Sequence, residues 1–252
     1  MRPDGRCREG DSVAAAVRDY PPAALLERAS FVLDVIAGPT GLTLSQIARR
    51  TGLPRSSTHR ILDSLISLGW ARRQGQAYRL GIRMIELGAH AVGQDRVRRA
   101  AVGHMQDLYR ATRLVVHLAV LDGTDIVLLE KIGGLPGIDL PTRVGERRPA
   151  ADTALGRVLL AHSRFGASMS VNERRLVLDR GFCSMVDDPA PGFGCIAAPV
   201  GSSRDVVAAV SLCAPYTVEF NRQLATVVQV AASRILNSFN GFQSGVRRVK
   251  TG

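Results

Sequence analysis

The sequence lacks the long apolar segments of a membrane protein. No run of 18 or more apolar residues occurs among its 252 residues, so we expect no membrane-spanning helix. The first 22 residues also lack the continuous apolar core of a signal peptide. We therefore expect residues 1–22 to form a flexible N-terminal tail on a cytoplasmic protein.

Cysteine is scarce and widely spaced, which argues against a structural zinc site. The four cysteines are Cys7, Cys183, Cys195 and Cys213, and they form neither a C-x-x-C pair nor a close cluster with histidine. The disulfide scaffold of an exported protein does not suit a chain of this length. The simplest prediction is that these residues are buried free thiols, and we predict no metal and no cofactor.

The motifs that mark common enzyme classes are also missing. The sequence contains no G-x-S-x-G, no phosphate-binding loop and no H-E-x-x-H, and its five histidines are scattered. His117 lies in an apolar run, where a hydrogen-bonded core residue is the simpler interpretation. Because no nucleophile–base pair or pair of carboxylates can be assembled, we predict that the chain is not an enzyme.

Positive charge is concentrated in one short region. The chain has a formal net charge of +11, and residues 42–81 carry seven arginines against a single acid, Asp63. Residues 114–245 carry twelve basic and twelve acidic side chains. A basic segment binds nucleic acid, an acidic membrane surface or an acidic protein, so the fold of the segment has to decide between them.

The pattern over residues 23–81 predicts a winged helix-turn-helix. An apolar stripe at helical spacing forms the first helix, and residues 43–46 have the capping-box pattern that begins a second helix. Gly52 ends that helix and Pro54 opens the third one. Two short strands around a glycine-containing turn at 74–76 then form a β-hairpin, the wing.

A domain of this kind places the N-terminal end of its third helix in the major groove of DNA. Arginine at that end pairs with guanine, and short hydroxyl side chains at a helix N-terminus suit phosphate. The residues expected to contact double-stranded DNA are Thr43, Ser45, Arg55, Ser56, Ser57, His59, Arg60, Arg72 and Arg73.

The sequence pattern in the rest of the chain predicts a helical linker and an α+β domain. Residues 82–112 are helical, with an interruption at 93–95, and are predicted to be a linker helix. From residue 113 to 240, short strands and helices indicate an antiparallel sheet with helices beside it, and Asp122-Gly123 marks a hairpin turn. Residues 241–252 are predicted to be a basic C-terminal tail.

Several motifs, in order along the chain, resemble the IclR family of bacterial regulators. They are Leu44-Ser45-Gln46-Ile47-Ala48, the run from Thr51 to Leu62, Leu121-Asp122-Gly123, the run from Thr153 to Ala161 and the run from Cys195 to Val200. The resemblance covers about residues 23–240. It implies a GAF-like effector-binding domain, dimers or dimers of dimers, and palindromic operators.

The resemblance also implies where a small-molecule effector binds. The pocket lies between the start of the helix at Thr153 and the facing strands, and a helix N-terminus suits the carboxylate of a ligand. The residues expected to form it are Leu129, Leu140, Thr153, Ala154, Leu155, Met185, Phe193, Cys195, Ser211 and Cys213.

Three positions in this region depart from the family pattern. Met185 stands where relatives often have an acid, Cys213 where they often have serine, and Asp152 where they often have a small residue. Met185 and Cys213 make the pocket more apolar, so we expect an aromatic or other organic acid larger than a small oxo acid. Asp152 is expected to cap the helix at Thr153 and to occupy amides that a carboxylate would bind. The segment 161–181 also looks shorter than in relatives, which leaves the completeness of the pocket wall open.

Together these features predict a ligand-responsive transcriptional regulator, either repressor or activator, of a metabolic or catabolic operon. One alternative is a DNA-binding regulator that senses oxidation through Cys183, Cys195 or Cys213. Another is an enzyme on a GAF-like fold with an incidental basic domain, and the missing catalytic constellation argues against it.

Overall fold

The computed structural model describes residues 24–134, 140–202, 205–216 and 222–249. The chain divides into two compact units, one ending at Ala91 and one beginning at Val92. The predicted tail over residues 1–22, with Cys7, lies outside the described residues. Within the described ranges, no helix combines the length and the hydropathy needed to cross a membrane.

The first unit contains the predicted winged helix-turn-helix. In chain order its elements are α1 (Leu25–Ile36), β1 (Leu42–Thr43), α2 (Leu44–Thr51), α3 (Arg55–Ser67), β2 (Ala71–Gln74) and β3 (Ala77–Leu80). The strands pair antiparallel in the order β1-β3-β2. The wing is therefore a hairpin with a third, two-residue strand that the sequence pattern did not indicate.

Local sequence signals set the ends of the two central helices. The Thr43 hydroxyl accepts a hydrogen bond from the Gln46 amide at 3.4 Å, and the Thr43 amide donates to Gln46 Oε1 at 2.8 Å, which is the predicted capping box. Gly52 ends α2 in the left-handed conformation, with φ of 67°. Pro54 is the residue before α3 rather than its first residue, because the helix begins at Arg55.

The segment predicted as one linker helix, 82–112, is two helices. They are α4 (Ile82–Gln94) and α5 (Arg96–Thr112), and the carboxylate of Asp95 caps α5 by accepting from the Arg98 amide at 2.6 Å. No residue of α4 is buried, whereas α5 buries Ala101, Met105 and Leu108 in the core of the second unit. The second helix of the predicted linker is thus part of the core of the second unit.

The second unit is a six-stranded antiparallel sheet with helices on both faces. The elements after α5 are β4 (Val115–Asp122), β5 (Asp125–Ile132), β6 (Arg147–Pro149), α6 (Ala154–Ala161), α7 (Val171–Arg180), β7 (Cys183–Val186), β8 (Phe193–Ser202), β9 (Asp205–Pro215) and α8 (Arg222–Val249). The strands lie in the order β6-β5-β4-β9-β8-β7 across the sheet. Because α8 continues to Val249, the predicted C-terminal tail begins as a helix.

The two faces of this sheet have separate cores. Side chains alternate along a strand, so Val116 and Leu118 of β4 pack against α5 and α8, while Val115 and Ala119 pack on the side of α6. The apparently short segment 161–181 forms a 3-10 turn and α7, and Val177 joins the core on the α6 side. The expected effector pocket belongs to this α6 side.

Gly156 lets α6 pack closely against the preceding 3-10 turn. A β-carbon at this position would lie 2.1 Å from the carbonyl oxygen of Ala150, a distance that forces the backbone apart. We expect Gly156→Ala to lower the free energy of unfolding by about 1–3 kcal/mol through overpacking. The measurement is urea unfolding of the full chain.

The matched control for this change is Gly103→Ala in α5. An added β-carbon there meets nothing within 4 Å, so the substitution is expected to raise the free energy of unfolding by up to about 1 kcal/mol through helix propensity. Equal effects of the two substitutions would contradict the close packing of α6.

Candidate functional site

The N-terminal end of α3 and the wing form the two walls of an open groove with a volume of about 680 Å³. It is lined by Thr43, Leu44, Ser45, Arg55, Ser56, His59, Arg73, Gln76 and Tyr78. Six of the nine residues expected to contact DNA therefore share one surface. We call it the α3–wing groove.

The other three expected DNA contacts do not line the α3–wing groove. Ser57 is half-buried, and Arg60 is exposed outside the lining. Arg72 precedes Arg73 in β2, so its side chain points to the opposite face of the strand.

Sequence reasoning missed two groove residues on the wing, Gln76 and Tyr78. Gln76 lies in the turn before β3, and Tyr78 of β3 lies directly opposite Arg73 of β2, so their side chains share one face of the hairpin. The Arg73 guanidinium carbon lies 5.9 Å from the centre of the Tyr78 ring, and Arg73 Nε donates to the Gly75 carbonyl at 2.8 Å. These contacts hold Arg73 against the wing.

The segment that forms the groove is strongly basic, with seven arginines and one acid between residues 42 and 81. Asp63, the one acid between residues 42 and 81, lies 2.8 Å from His59 Nδ1. Arg55 is exposed in the first turn of α3. The α3–wing groove therefore combines exposed arginine with short hydroxyl side chains, a combination suited to bases and phosphates.

On the α6 side of the large sheet, most of the expected effector residues lie close together. One core contains Leu140, Ala154, Leu155, Cys195 and Cys213, and Met185 and Phe193 pack against it. Thr153 and Ser211 are also buried. A surface groove of about 350 Å³ adjoins Met185 and is lined by Arg157, Ser184 and Val186 as well.

The expectation that Leu129 lines the effector pocket is wrong. It packs with the core on the α5–α8 side, whereas Leu128 packs on the α6 side. Neighbouring residues of a strand point to opposite faces, so Leu129 faces away from α6 because Leu128 faces towards it. Leu129 is therefore not a wall of the expected pocket.

The prediction of free thiols is wrong for two of the cysteines. Cys195 of β8 and Cys213 of β9 lie directly opposite each other and form a disulfide, with a Cα–Cα distance of 4.3 Å. Cys183 is a buried free thiol, and burial raises its pKa to about 11. Pairing across neighbouring strands depends on sheet register, which the cysteine spacing alone did not reveal.

His117 is a hydrogen-bonded core residue, as expected, and it lies beside the disulfide. Its Nε2 shares a hydrogen bond of 2.9 Å with Thr142 Oγ1, and its Nδ1 is 3.5 Å from Cys213 Sγ. Burial, reinforced by the charges of Lys131 and Arg148, lowers the pKa of His117 from about 6.5 to about 3. His117 is thus neutral at physiological pH.

The N-terminus of α6 is capped differently from the sequence expectation. Thr153 accepts from the Gly156 amide at 2.9 Å, and Asp188 Oδ2 accepts from the Ala154 amide at 2.8 Å. Asp152 is exposed and ends the 3-10 turn before the helix, so the proposed cap by Asp152 is wrong. Burial raises the pKa of Asp188, although the Ala154 amide and Arg148 act in the opposite direction.

Comparison with protein families identifies both units. The IclR helix-turn-helix domain matches residues 25–75, and the C-terminal domain of bacterial transcriptional regulator IclR matches residues 89–176. The chain belongs to the IclR family. It is therefore a DNA-binding transcriptional regulator, and the prediction that it is not an enzyme is confirmed.

Individual IclR-family members are similar over most of their length. The HTH-type transcriptional regulator XynR of Escherichia coli (strain K12) is 29% identical over 212 residues, 74% of this chain and 84% of XynR. KdgR of Dickeya chrysanthemi is 27% identical, over 75% of this chain and 70% of KdgR. An IclR homolog from Microbacterium hydrocarbonoxydans, solved in complex with 4-hydroxybenzoate, gives a TM-score of 0.74 at 26% identity, over 86% of this chain and 100% of that one.

The lowered pKa of His117 predicts how this IclR-family protein responds to acid. Between pH 6.5 and about 3, the unfolded chain binds a proton at residue 117 that the folded chain does not. The contribution of His117 to the free energy of unfolding is therefore complete above pH 6.5. Below that pH it decreases as the pH falls, by up to about 1.4 kcal/mol per pH unit. We expect the loss between pH 7 and pH 5, measured by urea unfolding, to be smaller in His117→Gln.

His90→Gln, which changes an exposed histidine on α4, is the control for this prediction. It is expected to keep the pH dependence of the unmodified chain. An identical pH dependence in His117→Gln would show that His117 does not resist protonation in the folded protein.

Proposed function

We propose that this chain is a ligand-responsive regulator that binds a palindromic operator in double-stranded DNA as a homodimer or a dimer of dimers. It controls a metabolic or catabolic operon in the cytoplasm. The observation that carries the proposal is the α3–wing groove, where Arg55, Ser56 and His59 of α3 face Arg73 of the wing across a basic concave surface.

The two walls of the groove are proposed to make different contacts with DNA: α3 contacts bases, and the wing contacts the backbone. The first turn of α3 enters the major groove, where Arg55 hydrogen-bonds a guanine edge. Thr43 and Ser45 contact a phosphate at the N-terminus of α2, and Arg73 and Gln76 follow the flanking backbone. Base reading then depends on α3, and general affinity depends on the wing.

Dimer formation is supported by the apolar surface of α4. Ile82 and Ile85 are 65% and 68% exposed and lie three positions apart on one side of the helix, which buries no residue within one chain. An exposed apolar face of this kind favours a partner helix. In a twofold dimer the partner supplies a second α3, which is why a palindromic operator is expected.

The proposed effector is an aromatic or other organic acid. The α6 side offers apolar walls from Leu140, Met185 and Phe193. The Microbacterium hydrocarbonoxydans homolog was solved with 4-hydroxybenzoate, an acid of this chemical class.

Arg55→Ala tests whether α3 reads bases. We expect it to weaken binding to an operator selected from random-sequence duplexes by about 1–3 kcal/mol, with a smaller loss on random DNA. Fluorescence anisotropy titrations at several salt concentrations measure both affinities.

Arg73→Ala is the matched comparison on the wing. It is expected to weaken operator and random DNA equally and to reduce the salt slope by about one. Equal losses on the two DNAs for Arg55→Ala would mean that Arg55 contacts phosphate only, and no binding of the unmodified chain at low salt would refute the proposed function.

A second candidate function, redox sensing, is favoured by the Cys195–Cys213 disulfide. It joins the neighbouring strands β8 and β9 on the face where the effector is expected, and Cys195 Sγ lies 3.1 Å from the Asp188 carbonyl oxygen. Reduction by a dithiol converts the disulfide to two thiols as the dithiol closes to its own disulfide. The reduced Cys195 then gains an S–H that can donate to Asp188.

Redox sensing predicts that operator affinity depends on the state of this disulfide. We expect dithiothreitol and diamide to give operator affinities that differ several-fold in the unmodified chain, because the strands that carry the pocket are released or joined. Cys213→Ser should abolish the difference, and Cys183→Ser, which changes the buried free thiol, should keep it. Equal affinities in the two reagents would leave the disulfide with a structural role only.

A further inference from the structure

The carboxylate of Asp188 occupies the position at α6 that a carboxylate ligand would take. Its side chain is only 5% exposed. Oδ2 accepts from the Ala154 amide at 2.8 Å, and Oδ1 lies 3.6 Å from Arg148 Nη1. A helix amide together with a guanidinium is a common binding arrangement for an anion, and here the chain itself supplies the anion.

Hydrogen bonds hold the chain in place on both sides of Asp188. We call residues 187–192, between β7 and β8, the strap. Arg148 Nη2 donates to the Pro189 carbonyl at 3.1 Å, and the Asp187 amide donates to the Tyr216 hydroxyl at 2.6 Å. Asp187 also accepts from the Tyr216 hydroxyl and from the Gly192 amide. These contacts place the Asp188 carboxylate at α6 before any ligand arrives.

A second carboxylate cannot share this position. Two carboxylates held within a few ångströms of each other repel, and the Ala154 amide has a single hydrogen to donate. An acid from solution therefore competes with a tethered group, whose effective concentration is at least on the order of millimolar. A small acid with little apolar surface has no other interaction to offset this competition.

We propose that Asp188 is a specificity-determining residue of the effector site, an internal competitor that an acidic effector displaces from Ala154 and Arg148. The proposal rests on the proposed function as an effector-responsive regulator. It favours acids with a large apolar body, because burial against Leu140 and Phe193 offsets the loss of the Asp188 contacts. Displacement also releases the strap, which links effector binding to a change in the domain.

The experiment is chemical rescue of Asp188→Ala with acetate, the simplest carboxylate. Thermal unfolding of the full chain is followed as acetate replaces chloride at constant ionic strength. We expect the Tm of Asp188→Ala to rise saturably in acetate, with half of the effect at an acetate concentration about tenfold lower than any effect in the unmodified chain. Acetamide, which lacks the charge, is expected to give no rise.

Two further variants sharpen the result. Asp188→Asn keeps an oxygen for the Ala154 amide but loses the charge that faces Arg148, so acetate is expected to rescue it less than Asp188→Ala. Asp152→Ala removes an exposed carboxylate close to α6 and is expected to show no acetate effect. If Asp188→Ala does not fold in chloride, its refolding yield is measured instead. The yield in acetate is then compared with the yields in chloride and in acetamide.

Equal responses to acetate in Asp188→Ala, Asp152→Ala and the unmodified chain would overturn the proposal. Equal rescue by acetamide and acetate would also overturn it, because the site would then not select a carboxylate. Neither result depends on DNA, so operator binding by the unmodified chain in a parallel titration separates this failure from failure of the proposed function.

Discussion

Polar groups buried beneath α6 must find partners inside the protein, and this constraint shapes the effector domain. An unpaired buried donor or acceptor is costly, so each group fixes the position of another. His117 is paired with Thr142, and Lys131 Nζ donates to the carbonyls of Leu140 and Thr142 at 2.9 Å each. The opposite face of the sheet, against α5 and α8, carries an apolar core built from Val116, Leu118 and similar side chains. These buried polar groups lie on the side of the sheet where the effector site is proposed.

The first unit was predictable because its signals are local. The Thr43 and Gln46 pair, Gly52 and the turn at residue 75 each act within a few positions of the chain, and each has its effect whatever lies farther away. The alternation of Arg72 and Arg73 along β2 was also available from the sequence, yet both were expected to contact DNA, and only Arg73 lines the α3–wing groove.

The second unit was predictable in outline but not in its details. Family resemblance placed the expected pocket on the α6 side, yet whether Leu128 or Leu129 faces α6 depends on how β5 sits in the sheet, which the resemblance did not give. Cys195 meets Cys213 only because β8 and β9 pair in one particular register. Asp188 meets Ala154 across 34 positions of sequence, which is why the neighbouring Asp152 was the expected cap. Contacts of this kind are set by tertiary packing rather than by local propensity.

The positive surface of the first unit is made with arginine alone. No lysine occurs between residues 42 and 81, although seven arginines do. The guanidinium group stays protonated far above neutral pH and is not a substrate for acetylation. Lysine acetylation, which removes positive charge from many proteins, therefore has no target in this segment, and its seven positive charges do not depend on the acetylation state of the cell.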